Sequence, residues 1–209
     1  CFAAEIQYLL WQFLMKIPFV GPSEQARSTN ASAQRSVNCY LEMNNASPRA
    51  PIALYGTPGL SSAFTLPTVS IRGSAILGAF AIYVSGNGVY KVDSAYTATL
   101  LGSIGTSTGP VGITSNGVQV LIVDGVSGWL ATTTTLTQIT DVDFPAGVTS
   151  ADFLDGYFIV AGDGTQLFYI NETPNVGTDW NGLDFGSAEG APDDVIAVKV
   201  DHREAWMFG

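Results

Sequence analysis

The sequence is poor in the residues that most often hold metals. Its 209 residues include one histidine and two cysteines. Cys1 and Cys39 have neither the C-x-x-C spacing of a zinc site nor the number that a disulfide framework needs, and His202 has no second histidine to act with it. We therefore exclude a structural zinc site and predict no cofactor.

Positive charge is also scarce, and it is unevenly distributed. The chain has 8 Lys and Arg residues against 18 Asp and Glu residues. Residues 1–72 carry five basic and three acidic residues, a net charge of +2, whereas residues 73–209 carry three basic and fifteen acidic residues, a net charge of −12. Because contacts to phosphates need clustered Lys and Arg, the sequence predicts no tight nucleic-acid binding. Solubility alone would account for the acidity of residues 73–209.

The apolar segment at the start of the chain is too short to cross a bilayer. Residues 1–14, CFAAEIQYLLWQFL, also lack the basic region and the cleavage site of a signal peptide. We interpret them as a non-native segment upstream of a true start at Met15, with an amphipathic helix as the alternative, and we predict no membrane partner. Because an apolar, strand-like run ends at Gly209, we expect the chain to be an N-terminal fragment of a longer protein.

The residues that are plentiful favour β-structure. Hydrophobic residues make up 46% of the chain, aromatic residues 11%, and there are 23 glycines. β-Branched and aromatic side chains suit a pleated surface, and glycine suits tight turns. The composition therefore predicts an all-β fold.

A 39-residue repeat is the strongest pattern in the sequence. Glycines recur at this spacing in two series: Gly78, Gly117 and Gly156, and Gly86, Gly125 and Gly164. Between the two glycines of each unit lies an apolar run of constant length: AFAIYVS (79–85), VQVLIVD (118–124) and YFIVAGD (157–163). An aromatic residue follows at the same spacing: Tyr90, Trp129 and Phe168. We interpret each unit as antiparallel strands joined by glycine-containing turns, in the same register in all three units.

The length of the repeat is typical of a β-propeller, whose blades have four strands in about 40 residues. We predict an all-β fold, a partial β-propeller of three four-stranded antiparallel blades and the start of a fourth: residues 73–109, 110–146, 147–193 and 194–209. An extended N-terminal arm with a lead-in strand, residues 15–72, is predicted to precede the blades. A β-sandwich is the alternative, because sandwiches also have strands at intervals of about 8–12 residues.

No group of residues in the sequence is typical of an active site. Acidic residues lie close together at two places: Asp141 and Asp143, which we expect to share one face of a strand, and Asp193, Asp194 and Asp201 near the fourth unit. Paired carboxylates can act as acid and base in glycoside hydrolysis, but they are equally compatible with solvated charges at loop ends. We expect His202 to lie in a surface turn. The recurring aromatic residues are expected in the blade core, with a sugar-stacking platform as the alternative.

The segment ahead of the repeats has recognisable features in a fixed order. Ile17-Pro18 opens it, Ser36-Val37-Asn38 leads into a strand containing Tyr40, and the run LYGTPGL occupies residues 54–60. In these features residues 15–60 resemble the N-terminal segment of the phage packaged-DNA stabilisation proteins, which are tail accessory factors, or tail hubs, of short-tailed phages and related prophages.

This resemblance implies a structural virion protein and no enzyme. A family member would form a homo-oligomeric ring at the head-to-tail junction, with portal, adaptor and tail components as partners, and would close the portal vertex so that packaged DNA is retained until ejection. The implied localisation is the virion tail, and the bacterial host cytoplasm during assembly. The alternatives are a carbohydrate-binding or glycoside-processing β-propeller and an extracellular repeat adhesin.

The arginines of the arm are the candidate assembly residues. Arg27, Arg35 and Arg49 lie in a stretch rich in Ser, Asn, Ala and Pro that is too polar to form a core of its own. We hypothesise that this arm lies across the acidic body of a neighbouring subunit. An acidic body would also repel the phosphates of DNA that must later pass through the ring.

Overall fold

The structure is a computed structural model, and it describes residues 24–25, 33–34, 37–43, 52–67, 70–188, 190 and 193–209. Contacts divide the chain into two compact units, Cys1–Ser61 and Ser62–Gly209. Residues 1–14 and the three arm residues Arg27, Arg35 and Arg49 lie outside the described residues.

The described part of the first unit consists of two antiparallel strand pairs. These are β1 (Glu24–Gln25) with β2 (Ala33–Gln34), and β3 (Cys39–Met43) with β4 (Ile52–Gly56). In the second pair Tyr40 lies opposite Tyr55, and their rings stack with centroids 5.8 Å apart. Both rings remain about half exposed, so the hairpin is held by its backbone ladder and this ring contact.

The second unit consists of three four-stranded sheets and a hairpin. The first sheet contains β5 (Ile71–Leu77), β6 (Phe80–Ser85), β7 (Gly88–Val92) and β8 (Ala98–Ser103). The second contains β9 (Gly112–Ser115), β10 (Val120–Val123), β11 (Gly128–Ala131) and β12 (Leu136–Gln138). The third contains β13 (Ser150–Leu154), β14 (Tyr157–Ala161), β15 (Leu167–Asn171) and β16 (Trp180–Ser187). The hairpin is β17 (Ala197–Asp201) with β18 (Glu204–Phe208).

These sheets are arranged as blades around a common axis. In each one the strands follow chain order and every pairing is antiparallel. The first strands contact one another in series, β5 with β9, β9 with β13, and β13 with β17, while β8 and β12 meet farther out. A sandwich would instead consist of two stacked sheets, without a series of sheets joined through their first strands. The prediction of an all-β propeller is confirmed, and among the described residues no helix is long and apolar enough to cross a membrane.

Apolar side chains fill the three seams between neighbouring sheets, because alternate residues of a strand point to opposite faces. The first seam, between the first and second blades, buries Leu77, Ile82, Val84, Val89, Ile104, Val111, Val120, Ile122 and Ala131. The second seam, between the second and third blades, buries Leu121, Val123, Leu130, Ile139, Val148, Ala151, Phe158, Val160 and Trp180. The third seam, between the third blade and the β17–β18 hairpin, buries Ile159, Ala161, Val195 and Val198.

Two glycines allow the innermost strands to approach closely. A Cβ atom on Gly73 would lie 2.7 Å from Cγ2 of Val111, and one on Gly112 would lie 2.8 Å from the carbonyl oxygen of Thr149. Such distances are well inside van der Waals contact, so a side chain at either position would push neighbouring blades apart.

The third blade differs in register from the first two. The first hairpin turn of each blade contains a glycine with positive φ: Gly78, Gly117 and Gly156. In the first blade the pair Leu77–Phe80 closes this turn, so its glycine is the first turn residue. In the third blade the pair Leu154–Tyr157 closes it, so Gly156 is the second turn residue and Asp155, with a φ of 48°, is the first. The expectation of one register in all three units is therefore wrong for this hairpin.

The next hairpin of the third blade compensates for this shift. Four residues separate the paired positions Val123 and Gly128 in the second blade, but six separate Ala161 and Phe168 in the third. A shift of one residue moves a strand side chain to the opposite face, so Phe168 packs in the third seam.

Tyr169, and not Phe168, is consequently the third-blade counterpart of Trp129. Trp129 packs toward the preceding blade, in the first seam, and Tyr169 packs toward its own preceding blade, in the second seam. The aromatic series predicted as Tyr90, Trp129 and Phe168 needs this correction at its third member.

The boundary predicted between residues 72 and 73 falls inside a strand, because β5 begins at Ile71. The segment ahead of it, from Ser62 to Pro67, belongs to the second unit. In this segment Leu66 is buried, and Phe64 contacts Tyr83 of the first blade with ring centroids 5.4 Å apart.

Candidate functional site

The six repeat-defining glycines lie in the hairpin turns that connect strands within each blade. Gly86, Gly125 and Gly164 follow the second strand of their blades, with φ values of 56°, 82° and 83°. For an L-residue that has a Cβ atom, this left-handed conformation costs free energy, which explains why glycine occupies these positions. The series Gly78, Gly117 and Gly156 has φ values of 61°, 87° and 101° for the same reason. All six residues act through the backbone.

Arg72 ties together two loops beside the first seam. Its guanidinium donates to the carbonyl oxygens of Gly86, Thr106, Thr108 and Gly109 at 2.6–2.9 Å, and to Thr106 Oγ1 at 2.8 Å. These five bonds use all the N–H groups of the side chain. Partial burial lowers the pKa of Arg72, and the nearby carboxylate of Asp124 opposes this shift. Arg72 was predicted to belong to the basic arm, residues 15–72, but in the structure its side chain binds loops of the blades.

Asp152 is a buried carboxylate on the innermost strand of the third blade, and it joins three neighbouring sheets. Its Oδ1 accepts a hydrogen bond from Thr114 Oγ1 of the second blade at 3.2 Å. Its Oδ2 accepts from the Val200 N–H at 2.8 Å and from Lys199 Nζ at 2.8 Å, both on β17. Its side chain is 11% exposed, whereas that of Lys199 is 71% exposed.

The environment of Asp152 favours its ionised form. Burial alone would raise the pKa of this carboxyl, but the hydrogen bond from Lys199, those from the Val200 and Phe153 N–H groups, and the charge of Lys199 together outweigh it. The net effect is a lowered pKa. The carboxylate is therefore charged at neutral pH and can hold the inner ends of the blades together.

Two further polar contacts cross the third seam. Ser150 Oγ accepts from the Val198 N–H at 3.0 Å, at the inner-strand position that Gly112 occupies one blade earlier. Arg203, in the β17–β18 turn, donates to Asp155 in the first turn of the third blade at 2.9 Å, and both side chains are more than half exposed. The hydrogen bond that Arg203 donates to Asp155 raises the pKa of Arg203.

The lysine and arginine side chains that the structure describes from residue 70 onward all form contacts within the blades. Arg72 holds loops, while Lys199 and Arg203 pair across the third seam. Lys91 Nζ donates to the Thr133 carbonyl across the first seam at 2.9 Å and lies 4.9 Å from a ring centroid on its own blade. The acidic residues of the described surface greatly outnumber these cations, so the exposed charge of the blades is negative.

The two acidic groups noted in the sequence have different surroundings. Asp141 and Asp143 lie in the loop after β12 and not on a strand. Asp141 accepts from the N–H groups of Asp143 and Trp180, at 3.0 and 3.1 Å, and these bonds lower its pKa. The expectation that the pair shares a strand face is wrong, because the strand ends at Gln138.

In the second group, Asp193 and Asp194 precede the hairpin, Asp201 is the last residue of β17, and all three are exposed. Asp201 pairs with His202, whose side chain is 90% exposed and whose φ is 48°, so the histidine lies in a surface turn. Among the described residues, no group of three or more His, Cys, Asp and Glu side chains could hold a metal ion.

Two of the three recurring aromatic side chains, Trp129 and Phe168, pack in seams between sheets, whereas Tyr90 does not pack in any of the three seams. Trp129 packs against the core of the first seam, and Tyr90 lies opposite Tyr83 on the face of the first blade that points away from this seam. A ring packed into a seam has no free face on which a sugar could stack.

Sequence reasoning missed the two residues that hold most of these polar contacts. For Asp152 a signal existed, since it is the one charged residue within the mainly apolar strand SADFL. For Arg72 none existed, because its partners lie 14 to 37 positions along the chain. The candidate assembly residues Arg27, Arg35 and Arg49 remain outside the described residues.

Comparison with known proteins gives one family. The family model described as "Bacteriophage P22 Gp10, beta-propeller" matches residues 15–209. No curated protein matches the chain. Among solved structures, that of BamB from Moraxella catarrhalis is similar, with a TM-score of 0.48 and 11% sequence identity, over 64% of this chain and 39% of BamB.

Proposed function

We propose that this chain, which belongs to the phage stabilisation family described as bacteriophage P22 Gp10, beta-propeller, closes the portal vertex at the head-to-tail junction and so retains packaged DNA. Members of this family are structural proteins of the virion. The portal, the adaptor and tail components are the partners that this role requires, and assembly in the bacterial cytoplasm would precede incorporation into the tail.

One observation carries the proposal that DNA is retained by obstruction and not by binding. The described blade cations are engaged in contacts between or within blades, while carboxylates dominate the exposed surface. Tight DNA binding requires cations that are free to replace the counterions of phosphate. A body with this charge distribution can obstruct an exit without adhering to the DNA that later passes it.

Two measurements on the same phage or prophage test this function. Particles made without the protein should package DNA but lose it, so that their DNA becomes sensitive to nuclease, and supplying the intact protein should restore protection. The purified intact protein should show no affinity for duplex DNA at physiological salt. Particles that keep their DNA without the protein would refute the retention role, and tight DNA binding would refute the obstruction mechanism.

We further propose that the protein acts as a homo-oligomeric ring in which the basic arm of one subunit lies on the acidic body of the next. Arg27, Arg35 and Arg49 supply the charge that complements this body. Replacing all three with Gln in the intact protein should weaken the ring at low salt, as measured by native mass spectrometry. Replacing Arg203 with Gln is the control, because that side chain lies outside the arm, is 80% exposed and has an exposed partner in its own unit. An unchanged ring in the triple variant would refute the role of the arm.

A further inference from the structure

Two buried polar atoms of the second blade have complementary hydrogen-bonding capacity. Trp129 Nε1 is a donor and Asp124 Oδ2 is an acceptor. Both atoms are inaccessible to solvent, and neither has a hydrogen-bond partner among the described residues. Asp124 as a whole is 7% exposed. Because buried polar groups are almost always hydrogen-bonded to protein or to ordered water, both atoms need a partner.

The strand register places these two side chains on the same face of the blade. Asp124 is two residues beyond Ile122, and Trp129 lies directly opposite Ile122. The backbone N–H of Asp124 bonds the carbonyl oxygen of Ser127, so Asp124 and Trp129 are diagonal neighbours across the strand pair. Diagonal neighbours are within reach when one of them is a large aromatic side chain.

The third blade shows a direct version of the same contact. There Tyr169, the counterpart of Trp129, donates its hydroxyl proton to Asp163 Oδ2 at 2.8 Å. The other oxygen, Oδ1, accepts from the Thr165 N–H at 3.1 Å and so holds the turn. The two oxygens of Asp124 have the same separate roles, because Oδ1 accepts hydrogen bonds from two N–H groups of its own turn and Oδ2 takes no part in the turn. An indole N–H is placed differently from a phenol hydroxyl, so Trp129 does not reach the second oxygen directly.

The nearest cation does not supply the missing donor. Arg72 attracts the Asp124 carboxylate electrostatically, but all of its N–H groups are already donated, to loop carbonyls and to Thr106. Among the described residues, the indole N–H of Trp129 is a buried side-chain donor on this face that has no partner.

We propose that one ordered water molecule is bound between Trp129 Nε1 and Asp124 Oδ2 and ties the third strand of the second blade to its turn. The water accepts a hydrogen bond from the indole N–H and donates one to the carboxylate, which satisfies both atoms. Bridging waters of this kind are integral parts of a packed core. The second and third blades thus use the same connection, from a turn carboxylate to the aromatic residue of the third strand, by water in one case and directly in the other.

Hydrogen exchange of the indole protons, followed by NMR, tests this site. The chain supplies two internal references: Trp180, whose Nε1–H donates to the Gly177 carbonyl at 2.9 Å, and Trp206, which is 53% exposed. The Trp129 proton should exchange slowly, like that of Trp180. In Asp124→Ala its exchange should accelerate by about tenfold or more, as expected when a buried hydrogen bond is lost, while the Trp180 proton remains protected and so reports that the fold is intact.

The matched control is Asp163→Ala, which removes the equivalent carboxylate from the third blade. It should leave the exchange of the Trp129 proton unchanged. Equal acceleration in both variants, or none in Asp124→Ala, would overturn the proposal. A high-resolution crystal structure of the unaltered protein provides a test that needs no variant. Density for a water within hydrogen-bond distance of both atoms supports the site, and an ordered seam without such a water refutes it.

Discussion

The first and third seams join neighbouring sheets by different means. The first buries nine apolar residues, whereas the third buries four. The third seam instead has the carboxylate of Asp152, the hydroxyl of Ser150 and the exposed pair of Arg203 with Asp155. Sheets with the same strand order are thus joined mainly by apolar burial at one seam, and by a smaller apolar core together with buried polar contacts at another.

This difference predicts different responses to solution conditions. Stabilisation by apolar burial grows with the area removed from water and does not depend on protonation. Stabilisation by a charged hydrogen bond depends on pH and, where it is exposed, on salt. The first seam should therefore respond mainly to changes in side-chain volume, and the third to changes in charge as well.

The largest effect is expected from truncation in the first seam. Ile122 is fully buried there, and Ile122→Ala should lower the free energy of unfolding by about 2–5 kcal/mol, because it removes apolar contacts and leaves a cavity. Urea denaturation measures this loss. Val126→Ala, at a neighbouring position that is 66% exposed, is the control and should have little effect. Equal losses in the two variants would contradict the packing assigned to this seam.

A smaller loss is expected from removal of the carboxylate that crosses the third seam. Asp152→Ala leaves the Val200 N–H and Thr114 Oγ1 without their acceptor, which should cost about 1–3 kcal/mol. Because Lys199 is largely exposed, it can return to solvent without further cost. Asp155→Asn, which removes the charge of an exposed carboxylate from the same seam and keeps a residue that tolerates the left-handed backbone there, is the control. If the control were as destabilised as Asp152→Ala, the central role of Asp152 would be refuted.

The pH dependence of the third seam follows from the lowered pKa of Asp152. The unfolded chain binds the proton at a higher pH than the folded chain does. The contribution of Asp152 is therefore complete above the ordinary carboxyl value of about 3.9 and is lost as the pH falls through the lower folded pKa. The difference in urea midpoint between the unaltered protein and Asp152→Asn should be constant near neutrality and shrink in strong acid. A difference that did not change with pH would show that the charge of Asp152 contributes nothing. Ile122→Ala, measured alongside, should keep its difference throughout.

Local patterns in the sequence predict the fold class and the blade order. Alternating apolar residues and glycines with positive φ act over a few positions, so the runs before Gly86 and Gly125 indicate strands and turns directly. The register of the third blade is harder to predict from the sequence. Compared with the second blade, the third has one residue fewer before its first hairpin turn and two more in its second hairpin turn. The spacing from Gly125 to Gly164 therefore stays at 39, while Phe168 moves to the other face of the sheet.

The polar contacts were harder to predict than the fold, because their partners are distant in sequence. Thr114 and Lys199 lie 38 and 47 positions from Asp152 and meet it only because neighbouring blades place their first strands side by side. A charged residue inside an apolar strand indicates that a partner exists but does not identify it. The same limit explains why Arg72 was grouped with the arm: four of its five hydrogen bonds go to backbone carbonyls, which carry no sequence signal.

The smallest effect is expected for the exposed pair at the edge of the third seam. Arg203 and Asp155 are 80% and 56% exposed, and the gain from an exposed pair is offset by the ordering of two side chains and by screening. Arg203→Ala should leave the urea midpoint unchanged at physiological salt, with a slight decrease detectable only at low ionic strength. Asp152→Ala should be destabilised under both conditions, because its carboxylate is buried. A clear loss for Arg203→Ala at high salt would mean that the edge of the seam, and not its inner strand, holds the hairpin to the third blade.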